Sequence, residues 1–376
     1  MTDPRRLKIA IWSSYRFAPP VNGGHRVIYD LGEQLHRFAD VEVFSSFGNQ
    51  GAPFTVTALF KDRKWKYLDP SLMLRLREHL RRSRPDVLIA NQHFHAHFLL
   101  PVCRLLGIPV VIYAHNLEYE RFRTLGKWWW SGMRVFERWS MQRAAATWFV
   151  SHDERQRAIR EFGLLEHRTL FVPHMVANRA PHPLPDSKRT AIRQQYGVPS
   201  SANLLVFYGA YTYAPNVEAL RLIVDELLPR WRRAASKTYF LLICGGGLRD
   251  TALVEKLKAA SDAHYAGFVE QLEPVIQAAD VVLNPVTTGG GVKTKVIQAL
   301  ALGTPVLSSS SGAEGIVRTA TGNALRIVPD RDYEAYSTVL SELLRERPAV
   351  PAAFYTVYGR TQVTDRILTF LRRMIK

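Results

Sequence analysis

Short apolar runs rich in β-branched residues alternate with amphipathic helical stretches along nearly the whole chain. Runs at 7–13, 41–46, 86–91, 109–115, 147–151 and 169–173 are followed, after a gap, by runs at 203–209, 238–244, 263–268, 281–285, 305–309 and 324–329. Helical patterns such as 27–38, 217–232 and 253–260 fall between them. A parallel sheet covered by helices on both faces has strands without a polar side, so its strands read as continuous apolar runs. The fold class this predicts is α/β, with two doubly wound, Rossmann-like domains facing a central cleft. The gap, 176–201, contains Ala180-Pro-His-Pro-Leu-Pro-Asp186, which cannot be regular structure. It predicts a linker at 179–201, with some helix at 189–196, between an N-terminal domain at 1–178 and a C-terminal domain at 202–354. Sheets of this kind bind ligands beyond the carboxyl ends of their strands.

The chain's 376 residues suffice for two hydrophobic cores. Its two cysteines, Cys103 and Cys244, lie in or beside apolar runs. That predicts buried free thiols in a reducing compartment rather than disulfides or a cysteine zinc site. No uncharged apolar stretch reaches the roughly 18 residues of a membrane span. The start of the chain leads directly into a short strand and does not read as a signal peptide. A cytoplasmic location is therefore expected. The net charge is +17, and 27 Lys and Arg against 16 Asp and Glu fall within residues 1–180. Such a field favours an anionic partner: a phosphate-rich substrate or an acidic lipid surface. Nucleic acid is not expected, because no recognition motif accompanies the charge.

The best-defined unit is strand 280–285, turn 286–292, helix 293–302 and strand 304–309. Gly289, Gly290 and Gly291 let backbone approach a bulky anion and adopt positive φ. The helix start offers free N–H groups and the positive end of the dipole. Lys293 and Lys295 fall in its first turn, where cations are unfavourable unless an anion is present. The spacing is not that of a P-loop. These features together predict a phosphate cradle.

Three stretches resemble the C-terminal domain of retaining GT-B glycosyltransferases of family-4 type, the glycosyl transferases group 1. They are Leu205-Val-Phe-Tyr-Gly-Ala-Tyr-Thr-Tyr-Ala-Pro-Asn-Val-Glu-Ala219, Tyr265-Ala-Gly-Phe-Val-Glu270 and Asn284-Pro-Val-Thr-Thr-Gly-Gly-Gly-Val-Lys-Thr-Lys-Val-Ile-Gln-Ala-Leu-Ala-Leu-Gly-Thr-Pro-Val306. Gly312-Ala-Glu-Gly-Ile316 continues the likeness, and Pro19-Pro-Val-Asn-Gly-Gly-His25 and His115-Asn116 carry it into the first half. The resemblance implies a GT-B architecture in which the last helix, 355–376, returns to the N-terminal, acceptor-side domain. It implies a nucleoside diphosphate sugar as donor substrate, with no permanently bound cofactor. Gly289, Gly290 and Gly291, with Val292 and Thr294, would hold the donor diphosphate, and Lys293 or Lys295 would neutralise it. Gly209 would line the same pocket, and the 266–269 edge, with Phe268, would lie against the base. Gly23 and Gly24 would form a loop facing the diphosphate and the acceptor, and His115 would touch the donor sugar.

This chain departs from the family's Glu-x7-Glu, with Gly290 and Gln298 at the two positions. Gln298 can still hydrogen-bond a ribose diol, but not as a carboxylate accepting from both hydroxyls. A usual Arg or Lys after Gly209 is replaced by residues 211–216, so the diphosphate charge falls on Lys293 and Lys295. Fixed positive potential at the leaving diphosphate removes the need for a divalent metal. The catalytic candidates are thus His115, Lys293 and Lys295, with no metal ligands. His93, His95 and His97 have spacing that suits no common metal site and are expected at the cleft rim. Glu118, directly after His115, could contact an acceptor hydroxyl or be an ordinary charge at a helix start.

Four of the eight tryptophans fall in 126–143, interleaved with Lys127, Arg134, Arg138 and Arg143. Segments of this composition can lie in a bilayer interface, and the alternative is a core-packed helix with a solvated basic edge. Three consecutive tryptophans cannot all face one core, so from Trp128 to Trp139 the chain is expected to contact an anionic membrane, peripherally on the cytoplasmic face of the inner membrane. A lipid-linked or polysaccharide acceptor would account for this, in bacterial surface-glycan assembly. Two other readings stay open: an epimerase or phosphorylase-like relative, and a non-catalytic sugar-nucleotide-binding protein that has lost the paired glutamates.

Overall fold

The structure, a computed structural model, describes residues 5–21, 23–233 and 239–375, apart from the side chain of Lys64. Asn22 of the expected glycine loop, Thr238 of one expected strand and Lys376 of the returning helix lie outside the described residues. The chain divides into two compact units, one reaching to Met175 and resuming at Arg360, the other running Val176–Gly359.

The first unit holds a seven-stranded sheet: β1 Leu7–Ser13, β2 Ala39–Ser46, β3 Thr55–Phe60, β4 Val87–Asn91, β5 Val110–Ala114, β6 Ala146–Phe149 and β7 Thr169–Phe171. The order is β3-β2-β1-β4-β5-β6-β7, with all pairings parallel. β4, β5 and β6 are buried at every residue, the signature of strands covered on both faces. Sequence reading missed β3, an edge strand whose first four residues are not buried and whose pattern is too weak to separate it from a loop.

The second unit has a six-stranded parallel sheet of β8 Asn203–Tyr208, β9 Tyr239–Cys244, β10 Ala263–Gly267, β11 Val281–Asn284, β12 Val306–Ser309 and β13 Leu325–Val328. Its order is β10-β9-β8-β11-β12-β13. Both sheets are thus of the Rossmann-like, doubly wound kind.

The segment read as a linker is built into the second unit. Helix Asp186–Gln195 carries Arg189, which pairs with buried Asp280 at 2.7 Å. Leu184, Ile192 and Tyr196 pack against the second core. The proline run is irregular, but the helix after it has one apolar face, and that face suffices to dock it. The boundary near the chain's end also falls later than 355. Phe354, Tyr355 and Tyr358 are buried in the second core, and only from Arg360 does the chain belong to the first unit. There helix Arg360–Ile375 buries Val363, Ile367 and Leu371, a stripe with the helical period of about 3.6 residues.

Leu371→Ala should cost about 2–5 kcal/mol. Hydrogen exchange should then quicken in β1 to β7 and stay unchanged in β8 to β13.

Candidate functional site

In the second sheet β8 and β11 are neighbours at the point where strand order reverses. The chain leaves β8 for β9 on one side and β11 for β12 on the other. The loops after these two strands therefore diverge and leave a crevice at their carboxyl ends. The glycine turn enters that crevice after β11, and the 209–216 loop enters after β8.

Two serine contacts anchor the turn at its base: the Ser309 hydroxyl donates to the Val286 carbonyl at 2.5 Å and accepts from the Gly312 amide at 3.0 Å. Gly289 and Gly291 have φ of 82° and 77°, a region L side chains rarely occupy. A Cβ at Gly289 would stand 2.5 Å from the Tyr213 hydroxyl, so close approach of the two loops also demands glycine there. Lys293, immediately before helix Thr294–Ala301, donates from Nζ to the carbonyls of Gly289 at 2.7 Å and Gly291 at 2.8 Å. In a planar trans peptide the N–H points opposite to the C=O. Holding those two carbonyls on the ammonium therefore turns the amides of Gly290 and Val292 away from it, and neither amide donates to a protein group among the described residues. Paired free amides beside an uncapped helix start make an anion-binding concavity.

Lys295 is arranged differently. Its Nζ donates to Asn216 Oδ1 at 2.8 Å and stands 4.5 Å from the centre of the Phe207 ring. Asn216 in turn donates to the Ala210 carbonyl at 2.9 Å, so this lysine ties the helix to the loop after β8. Burial, with help from Lys293, pushes its pKa down to about 7. Both lysines, read from sequence as bare point charges, are thus held by acceptors of the second unit itself.

Around them Gly209 directly follows β8, where a Cβ would come within 2.7 Å of Asn216 Nδ2. Thr294 and Gln298 are half-buried and share a helix face at i, i+4 spacing. Phe268 is 81% exposed just past β10, an apolar ring left in water. Beside it runs a second glycine triplet, Gly245-Gly-Gly247, that sequence reading passed over. A Cβ at Gly245 would fall 1.9 Å from the Gly209 carbonyl oxygen, and the Tyr265 hydroxyl donates to the Gly245 carbonyl at 2.9 Å. A glycine run directly after a strand was the signal available for it.

In the first unit the carboxyl ends of β1, β4 and β5 converge at the corresponding reversal. His115, just past β5, is 9% exposed with its Nε2 unpartnered and its ring against Tyr113 at 4.9 Å. Burial, aided by His174, lowers its pKa to about 3, so it is neutral. Gly23 and Gly24 do not form the expected loop: they are the first residues of helix Gly23–His36. His93 and His95 are fully buried rather than at a rim, because the chain turns inward after β4. His95 Nδ1 lies 2.9 Å from the Ser14 hydroxyl, and His97 Nε2 lies 2.8 Å from the Tyr67 carbonyl. No group of three or more metal-ligating side chains could hold an ion among the described residues.

Glu118 has both oxygens occupied, by Asn116 Nδ2 at 3.1 Å and Arg121 Nε at 2.8 Å, and is 2% exposed. The segment after His115 is held by two other carboxylates that sequence reading missed. Glu137 accepts the amides of Glu118 at 2.8 Å and Tyr119 at 3.1 Å, and Glu154 accepts that of Leu117 at 3.1 Å. Three successive amides are thus pinned by side chains from two other helices. Desolvation raises the pKa of Glu137 to about 8.

In the tryptophan-rich segment Trp128 is 88% exposed, whereas Phe136 and Trp139 stack at 5.7 Å on helix Trp130–Arg143. No helix among the described residues is long and apolar enough to cross a membrane.

Glycosyltransferase Family 4 matches residues 21–177, and Glycosyl transferases group 1 matches residues 202–346. No curated protein matches the chain. Among solved structures, a glycosyltransferase from Rickettsia africae ESF-5 superposes with a TM-score of 0.73 at 13% identity, covering 99% of both chains. WaaG, a glycosyltransferase involved in lipopolysaccharide biosynthesis, gives a TM-score of 0.66 at 16% identity over 98% of each chain. Anabaena Alr3699/HepE in complex with UDP-glucose gives 0.68 at 15% identity, again over 98% of each. At these identities the likeness is one of fold.

Gly289→Ala should destabilise the second unit by about 1–3 kcal/mol, from φ strain and the Tyr213 clash. Glu137→Ala removes both acceptor oxygens and leaves the buried amides of Glu118 and Tyr119 unpaired, at a cost of about 1–3 kcal/mol for each in the first unit. Denaturant titration of each variant measures both.

Proposed function

The chain belongs to the GT-B glycosyltransferases of family 4, group 1, and on that premise we propose that it moves a sugar from a nucleoside diphosphate to a lipid-linked or polysaccharide acceptor, with retention and without a divalent metal. The setting we propose is bacterial surface-glycan assembly at the cytoplasmic face of the inner membrane. One observation carries the donor assignment: Lys293 holds the carbonyls of Gly289 and Gly291, which frees the Gly290 and Val292 amides for an anion. The UDP-glucose bound by the similarly folded Anabaena protein supports a nucleotide sugar as that anion.

In this reading the diphosphate lies on Gly289, Gly290, Gly291 and Val292 and on the helix start at Thr294. Gly209 lines its pocket, Phe268 covers the base, and Gln298 bonds the ribose. As the anomeric carbon becomes oxocarbenium-like, negative charge grows on the leaving diphosphate. Preorganised amides, the helix dipole and the two lysines stabilise it where it develops. The acceptor hydroxyl attacks from the leaving-group side and gives its proton to the departing phosphate oxygen. No separate base is then required, which agrees with Glu118 being fully engaged. On the first unit, neutral His115 serves the donor sugar through its unpartnered Nε2, and the helix start at Gly23 and Gly24 serves the diphosphate and the acceptor. The glutamate-bound loop behind His115 keeps that ring in place. A non-catalytic, sugar-nucleotide-binding role is the second reading, favoured by Gly290 and Gln298 standing where two glutamates would be.

Incubation with UDP-, GDP- and ADP-sugars and membrane extract should release nucleotide and label lipid; binding without turnover for every donor would establish the second reading instead. Lys293→Ala should lower nucleoside diphosphate affinity by about tenfold or more through loss of the turn's preorganisation and charge. Affinity should also depend on pH. Free Lys295 loses its proton above about pH 7, and a bound anion draws that proton back. Affinity should therefore fall as pH climbs from about 7 to about 9, by at most about tenfold per unit, and Lys295→Met should flatten the profile.

A further inference from the structure

A cavity of about 740 Å³ opens in the first unit at the amino ends of β5 and β6. It lies at the far end of β5 from His115, about 16 Å along the strand at the usual rise per residue. Nothing in the transfer reaction uses it. Its floor is apolar, from Leu100, Ile108, Trp139, Phe370 and Met374. Its rim carries four guanidinium groups, Arg104, Arg143, Arg168 and Arg373, and no carboxylate lines it. None of the four is in an ion pair among the described residues; Arg143 lies over the Trp139 ring at 5.2 Å.

This pairing of surfaces restricts the occupant. A small hydrophilic anion would leave the floor in water, and a neutral apolar molecule would leave four cations uncompensated. A second copy of this chain, itself at +17, brings charge of the same sign. An amphiphile with an apolar body and an anionic head satisfies both surfaces. The helices that wall the groove, Ala96–Leu106 and Trp130–Arg143, also expose Leu105 at 68% and Val135 at 69%. Apolar side chains left in water around an arginine rim fit a bilayer surface better than a single dissolved molecule.

We propose that this groove takes the acyl chain of an anionic bilayer lipid, with the lipid phosphate among Arg104, Arg143, Arg168 and Arg373. The proposal rests on the membrane setting of the proposed function only in taking the bilayer as the source; the site is separate from Trp128 and from the donor turn. It gives the first unit a defined lipid seat rather than a diffuse basic face.

The full chain is sedimented with vesicles of phosphatidylcholine alone or with added phosphatidylglycerol. Binding should require the anionic lipid, and Arg104→Glu and Arg168→Glu should each weaken it by about fivefold or more. Both residues are exposed, so UDP affinity should be unchanged in each variant and serves as the check on folding. Phosphatidylglycerol with brominated acyl chains should quench tryptophan fluorescence, and Trp139→Phe should abolish most of the quenching while Trp128→Phe does not. Unchanged binding of the arginine variants, or quenching that survives in Trp139→Phe, would overturn the groove. Loss of binding in Trp128→Ser alone would overturn it in favour of the tryptophan segment. Quenching by soluble bromolaurate without vesicle binding would overturn the bilayer as source, and a concentration-dependent dimer broken by the arginine variants would assign the groove to a second copy. Absence of vesicle binding would overturn the lipid seat while leaving donor turnover, measured separately, unaffected.

Discussion

A parallel strand enters at one edge of its sheet and leaves at the other, and the chain must cross a helical layer before it can pair again. Every other placement in this molecule depends on that constraint. All loops that come after strands collect at one edge, and where strand order reverses they diverge and leave room for a ligand. In the second unit that room lies between β8 and β11, and in the first between β1 and β4. The same rule puts the arginine-rimmed groove at the opposite edge of the first sheet, away from His115. One chain can therefore carry two unrelated surfaces on a single unit without their competing for space.

Within the crevice of the second unit the decisive contact is the Lys293 ammonium on two turn carbonyls. A lysine at a helix start is usually explained by attraction to a bound anion. Here its first effect is on the backbone: it fixes two peptide planes, and their amides then face outward ready to donate. The glycines permit the φ values, the close approach of Tyr213 enforces one of them, and Ser309 anchors the turn at its base. Lys295 has a different task. By binding Asn216 it links the helix to the loop after β8, and enclosure lowers its pKa to about 7.

The first unit is organised by carboxylates rather than cations. Glu137 and Glu154 reach from two helices to bind consecutive amides just after His115. A loop tied at three successive N–H groups is held firmly in the backbone directly after the histidine. Nothing in the local sequence announces this, since the three partners are separated by nearly twenty residues at each step.

Short-range pattern could be read directly. Continuous apolar runs identified nearly all the strands, because burial on both faces leaves no polar position in them. The glycine triplet with its lysines stood out because positive φ and a cation at a helix start are both costly without a reason. β3 escaped because an edge strand carries half the apolar signal, and 179–201 misled because its prolines read as a linker although the helix expected within it docks its few apolar residues on the second core. Gly23 and Gly24 were legible as unusual, but not as helical. By itself the sequence determined the two-sheet α/β plan, the family and the place of the glycine turn at a helix start, since each rests on neighbours in the chain. Only the tertiary structure decided which atoms the lysines hold, which carboxylates secure the His115 loop, and that four arginines from separate elements surround one apolar groove. Those depend on contacts between residues far apart in sequence, whose partners are chosen by packing rather than by pattern.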